Sequence, residues 1–232
     1  MREQTDDVDH ALSWATTRYG DASPFHFFTV REQFGGAQRD GDTIWFTVER
    51  EEAFGLSAGS AASPLDEWRT CLIVDSSLGD RAGELRLRSN WDFYTRRTEA
   101  THDDVDVVEV TDELAITALL ERDAPRSSVW PGAESVDSWY GIWDGTILSA
   151  VAALTRWRSG YHVIASVATA SSYRGHGLAR RIMRGVVGAA HARGVPWVGL
   201  GVAHSNHVAQ RVYRDTGFTE RARFSRYGLP EG

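Results

Sequence analysis

The chain has 232 residues, 42% hydrophobic and 25% charged, which is the make-up of a globular protein with one large or two small cores. Its net charge is −7 and all 25 basic residues are arginines scattered along the chain, which argues against nucleic acid or an anionic membrane as partner. A single cysteine, Cys71, excludes a disulfide framework and metal-ligand spacing, and no run approaches the ~20 apolar residues of a membrane span.

The first segment, MREQTDDVDH, is acidic and lacks the apolar core of a signal peptide, so a cytoplasmic protein is expected. DVDHALSWATTRYG then reads as a helix, and FHFFTV, TIWFTVE and TCLIV as strands parted by Gly/Ser/Pro/Asp loops such as SAGSAASP. No repeat of 20–50 residues interrupts them. The polar stretch TEATHDD, Thr98 to Asp104, marks a boundary. It sets apart an α+β domain over residues 1–100 from a second domain over residues 101–232.

Beyond the boundary the elements alternate more regularly. VDVVEV is a strand, ELAITALLE a helix, and SWYGIWD with TILSAVAALTRW a hairpin around Asp144-Gly145. YHVIASVAT is a strand, GLARRIMRGVVGAAHAR a helix, WVGLGV a strand, HVAQRVYRDT a helix and FTERARFSRY a last strand. In the long helix Leu178, Ile182 and Val186 recur at i+4 beside Ala179, Met183 and Val187, and Gly194 with Pro196 stops the pattern. The reading is α+β, a mixed sheet with helices packed on it.

The junction SVATASSYRGHGLARRIM joins a strand to that helix through two glycines and an arginine. First-turn N–H groups of a helix have no intrahelical partner, and with the helix dipole they form an anion site. Gly175 and Gly177 allow turns closed to other residues and a near approach of phosphate oxygens, and Arg174 adds a positive fork. A Gly-X-Gly turn can equally be only a tight connection. Arg180 stands where a dinucleotide fingerprint needs a small residue, and no Gly-Lys-Ser/Thr triplet supports a P-loop. Farther on, NHVAQRVYRDTGF places Asn206 at a helix N-cap, Ala209, Val212 and Tyr213 on one face, and Gly217 at the helix end. Between the two, Gly199 and Gly201 share one side of a strand, a sign of close approach by a backbone or ligand.

Arg-X-X-Gly-X-Ala from Arg174 to Ala179, then strand, then Asn-X-X-Ala-X-X-X-Tyr-X-X-X-Gly-Phe from Asn206 to Phe218, resembles the GNAT superfamily of N-acetyltransferases. The resemblance covers about Val105 to Tyr227. It implies a splayed mixed sheet with acetyl-CoA as acetyl donor. The cofactor arm would lie along Val167, Ala168 and Thr169, where a backbone N–H would polarise the acetyl carbonyl. Pyrophosphate would sit on the amides of Arg174, Gly175, His176, Gly177, Leu178 and Ala179. Asn206 would hold the arm, and Tyr213 would protonate the leaving thiolate. The implied reaction is direct transfer of acetyl to a primary amine, on a small molecule or an amino terminus, through a tetrahedral intermediate.

Ser171 stands where the family often has proline, which alters loop stiffness and removes no catalytic group. No general base is evident; His162, His204 and Glu109 are candidates, with solvated or structural roles as their alternative. Cys71 is expected to be a buried inert thiol. Trp91, Phe93, Tyr94, Trp130, Trp139 and Trp143 could line an acceptor pocket, although most of the nine tryptophans are expected in the core. Residues 1–100 are expected to shape the acceptor site, and a homodimer is compatible with the sequence. A non-catalytic acyl-CoA-binding module is the alternative function, and a structural protein with a decayed cofactor site a third.

Overall fold

The structure, a computed structural model, describes residues 2–49, 54–59, 70–74, 84–100 and 106–230. Residues 60–64 of the SAGSAASP loop, residues 101–104 of the expected boundary and Val105 lie outside the described residues. The chain divides into two compact units, Met1–Phe93 with Gly201–Asn206 and Glu220–Gly232, and Tyr94–Leu200 with His207–Thr219.

In the first unit, β1 (Arg2–Thr5), β2 (Phe34–Asp40), β3 (Thr43–Val48) and β4 (Phe54–Ala58) pair antiparallel in that order. β5 (Thr70–Val74) adds parallel to β4. The last strand of the chain, β12 (Thr219–Gly228), then pairs antiparallel with β5, Phe224 opposite Val74 and Gly228 opposite Thr70. Helix α1 (Val8–Tyr19) starts where the Asp7 carboxylate accepts from the amides of Asp9 and His10, at 2.9 and 3.1 Å, and it buries Ala11, Leu12, Trp14 and Ala15.

FHFFTV is not a strand. Pro24–Phe28 forms the short helix α2, because Ser23 accepts from Phe25 N–H at 3.1 Å and Pro24 fills the first helical position. The start signal overrides the strand preference of the phenylalanines. Turned into a helix, they meet ring to ring: Phe25 lies 4.7 Å from Phe46, Phe27 5.0 Å from Phe93 and Phe28 5.3 Å from Phe224. NWDFYTRR, read for its aromatics alone, is part of strand β6 (Arg86–Arg97), where Phe93 and Tyr94 are fully buried and Trp91 stacks on Phe224 at 4.4 Å.

The last strand is thus bound into the N-terminal sheet. Tyr227 packs with Trp45, Cys71 and Leu85, and Phe224 with Phe28 and Trp91. Deleting residues 1–97 strips both aromatics and leaves β12 without its β5 ladder. Losing the packing of a buried aromatic costs about 3–5 kcal/mol, and a domain has only about 5–15 kcal/mol to lose. The truncated chain is expected to be insoluble or to melt without a cooperative transition. A soluble truncation with a parental melting temperature would overturn this.

In the second unit the sheet order is β7 (Val108–Glu109), β8 (Val136–Asp144), β9 (Ile147–Arg156), β10 (His162–Thr169) and β11 (Trp197–Ala203). The first four pair antiparallel, and the β8–β9 hairpin turns at Asp144-Gly145, Gly145 having φ +56. β10 and β11 are parallel. Helix α3 (Glu113–Asp123), capped by Asp112, buries Ile116, Leu119 and Leu120 against Trp139, Val151, Ala153 and Ala168. Helix α4 (Leu178–Ala192) packs on β8, β9 and β10 through Leu178, Ile182, Met183, Val186, Val187 and Ala190. Helix α5 (His207–Asp215) ends at Gly217, φ +80, where Phe218 N–H returns to the Tyr213 carbonyl at 3.0 Å. Among the described residues, no helix is long and apolar enough to cross a membrane.

Candidate active site

The site begins where a sheet comes apart. β10 and β11 share two rungs, His162 with Val198 and Val163 with Gly199, and the ladder then stops. Beyond Val163 β10 has no further rung with β11 among the described residues, so that edge of the strand is open to a backbone that lies alongside. A β-bulge breaks the β9 side as well. Ala165 pairs with Ala153 and Ala168 with Val151, which leaves Ser166 and Val167 opposite Ala152 alone.

β10 leads through a short 3-10 turn, Ser171–Tyr173, into the glycine loop. Gly175 has φ +83 and Gly177 has φ +77 with ψ 3, and Gly177 is the N-cap of α4. No side chain caps this helix. Among the described residues, the amides of Gly175, His176, Gly177, Leu178 and Ala179 have no protein acceptor. Around the position a Cβ would take at either glycine nothing lies within 4 Å. Glycine is required here by the left-handed backbone. Five donors without protein acceptors at a helix N-terminus suit an anion.

The loop is held from behind. Arg174 donates from Nε to the Thr169 carbonyl at 3.3 Å and from Nη2 to the Asp123 carbonyl at 3.2 Å, and its side chain stays 59% exposed. The Asp123 carboxylate accepts from Ser171 N–H at 3.1 Å. Tyr173 donates its hydroxyl to Asp144 at 2.8 Å, and this bond raises the phenol's pKa. His176 turns Nδ1 to the Tyr173 carbonyl at 3.3 Å.

Tyr213 lies on the packed side of α5, 8% exposed, with its ring 6.2 Å from Tyr94 and 6.3 Å from Phe218. Burial pushes its pKa up to about 12. Among the described residues its hydroxyl has no hydrogen-bond partner. A purely structural tyrosine in a core normally finds an acceptor. Asn206 is exposed immediately before α5, its N–H on the Ala203 carbonyl at 2.8 Å.

The Acetyltransferase (GNAT) family description matches residues 107–218. Residues 107–218 are a GNAT acetyltransferase domain. Solved structures share the fold of the chain. A protein of the GNAT family from Novosphingobium aromaticivorans is 23% identical, with a TM-score of 0.52 over 83% of this chain and 77% of that one. GCN5-related N-acetyltransferases from Kribbella flavida and Sphaerobacter thermophilus are 14% and 15% identical with TM-scores of 0.55 and 0.54. They cover 84% and 97% of this chain, and 90% and 94% of their own. At these identities the likeness is one of fold, and the chain adds an N-terminal sheet to the GNAT domain. No curated protein matches it.

Two of the candidate bases are tied into the scaffold. His162 is 3.0 Å from the Asp137 carboxylate, and Glu109 accepts from Ser138 Oγ at 2.6 Å with Arg193 at 3.4 Å. The third, His204, is half-exposed with Nδ1 3.0 and 3.1 Å from the two oxygens of Asp92, a carboxylate only 2% exposed. Cys71 is buried, and desolvation pushes its thiol up to about 12, so it carries no thiolate at neutral pH. Gly201 has a local reason to lack a side chain: its Cβ would stand 3.2 Å from the Trp91 ring. Sequence reasoning missed Ser166, Asp123 and Asp92. Each acts through a partner far along the chain, and nothing in the neighbouring residues signals it.

Proposed function

We propose that the protein is an acetyl-CoA-dependent N-acetyltransferase that moves an acetyl group to a primary amine, of a small molecule or an amino terminus, by direct transfer through a tetrahedral intermediate. The observation that carries this is the unpaired edge of β10 running into a loop of five amides without protein acceptors. Acetyl-CoA supplies the activated thioester. Its arm would extend the sheet along Val167, Ala168 and Thr169, with the Thr169 carbonyl shared with Arg174. The amides of Gly175 to Ala179 hold the pyrophosphate, beside the Arg174 charge. A β10 N–H at Val167 supports the developing oxyanion. By family likeness Asn206 holds the arm and Tyr213 gives its proton to the departing sulfur. Acceptor selection is the role we assign to residues 1–100, and a cytoplasmic setting belongs to the same reading.

The test is thiol release from acetyl-CoA in the presence of a panel of primary amines and amino-terminal peptides, with acetyl-CoA binding followed by calorimetry. Amine-dependent thiol release is the expected result. Tight binding without release to any amine would make the protein an acyl-CoA binder, and absence of both would end the reading.

A further inference from the structure

Among the described residues, Ser166 is the one non-glycine residue with positive φ, at +49. It sits in the β10 bulge. A serine adopts this conformation only when its surroundings hold it there, and such residues cluster where function needs them. The holding contacts are specific. Ser166 Oγ accepts from Val129 N–H at 3.1 Å and donates to the Val129 carbonyl at 2.7 Å, so one hydroxyl grips both faces of one residue's backbone.

Val129 belongs to the connection between α3 and β8, which is itself braced. Ser127 Oγ donates to the Ala124 carbonyl at 2.8 Å, and Trp130 Nε1 donates to the Ser127 carbonyl at 3.1 Å. Trp130 also packs against the α3 core. Ser166 therefore fastens the bulge to a braced loop that packs on the α3 core. Val167, its neighbour, lies in the same unpaired stretch opposite Ala152. At the bulge the regular β9 register is interrupted, and the grip on Val129 adds a second hold on the direction of the chain.

We propose that Ser166 is a positioning residue for acetyl transfer: by clasping Val129 it holds the β10 bulge in the one conformation that aims the Val167 N–H along the open edge. This deepens the acetyltransferase reading and rests on it. The clasp acts on the direction of a donor rather than on the affinity of the cofactor, whose pyrophosphate is held elsewhere on the loop. Misplacing a catalytic group by about 1 Å costs about 10²-fold in rate, and losing an oxyanion donor costs about 10²–10³-fold.

The experiment compares Ser166→Ala and Ser166→Gly with the parent in four measurements: kcat, KM for the acceptor, acetyl-CoA affinity, and melting temperature, with amide exchange of Val129 as a ligand-free readout. Alanine removes the clasp and keeps the unfavourable backbone; glycine removes the clasp and relieves it. The two variants should differ in melting temperature and agree in kcat, both falling about 10²-fold. Acetyl-CoA affinity should hold within about threefold, and Val129 exchange should quicken in both. Parental kcat in a folded variant with quickened exchange overturns the proposal and leaves the acetyltransferase reading standing. So does a kcat that follows melting temperature, recovering in glycine, since that is what a structural knot would give. If the parent itself transfers acetyl to no amine, the functional reading falls and this inference with it.

Discussion

Tyr213→Phe is expected to lower kcat by about 10²–10⁴-fold while leaving acetyl-CoA affinity near the parental value. The phenol's pKa of about 12 keeps the proton in place across neutral and mildly alkaline pH, so the donor is always loaded. A thiol with a reference pKa of ~8.5 is the stronger acid, so handing the proton to sulfur is uphill unless the tyrosinate regains one. The attacking nitrogen must shed a proton as the amide forms, which closes the balance. Because the hydroxyl has no protein partner among the described residues, its removal breaks no internal hydrogen bond. The melting temperature should stay level or rise slightly. A rate loss without a stability loss separates proton donation from packing; an unchanged kcat, measured where chemistry is rate-limiting, would assign the proton to water or another group.

Gly177→Val is expected to weaken acetyl-CoA binding by about 10- to 100-fold, the worth of one charge-assisted hydrogen bond at ~1.5–3 kcal/mol. At φ +77 a β-branched residue is disfavoured, yet nothing lies within 4 Å of the new Cβ, so the chain pays in backbone strain rather than in collision. Gly194→Val is the matched control. It has φ +74 and equally open surroundings just past the C-terminal end of α4, so it carries comparable strain at the opposite end of the helix from the loop. Calorimetry on both variants should show affinity lost in the first and retained in the second. Equal losses would mean that general destabilisation, and not the loop, governs binding.

What could be read without coordinates was local. The strand, glycine loop and amphipathic helix from His162 to Ala192 declare themselves through alternation, left-handed glycines and i+4 repeats, all of them properties of neighbours in sequence. Asp144-Gly145 and Gly217 were legible for the same reason. The readable signal fails where a distant partner decides. β12 looks like any last strand, and only pairing shows that Phe224 to Gly228 answer to Thr70 to Val74. The Ser166 bulge depends on Val129, 37 positions away. FHFFTV misled because hydrophobicity in so short a run fits a strand or a buried helix, and the Ser23-Pro24 cap was the deciding local sign.

The pairing of β5 with β12 also sets the order in which the molecule can be made. On the ribosome Thr70 to Val74 emerge well before their partner strand, Thr219–Gly228, is translated. At about 5–20 residues per second the exposed edge waits roughly 8–30 s for it. During that interval β5 is an open template for wrong partners, and the N-terminal sheet cannot close as an independent nascent domain. The first unit therefore becomes complete only after residues 220–228 have been made, and until then its β5 edge is one that a chaperone binding strand edges would shield.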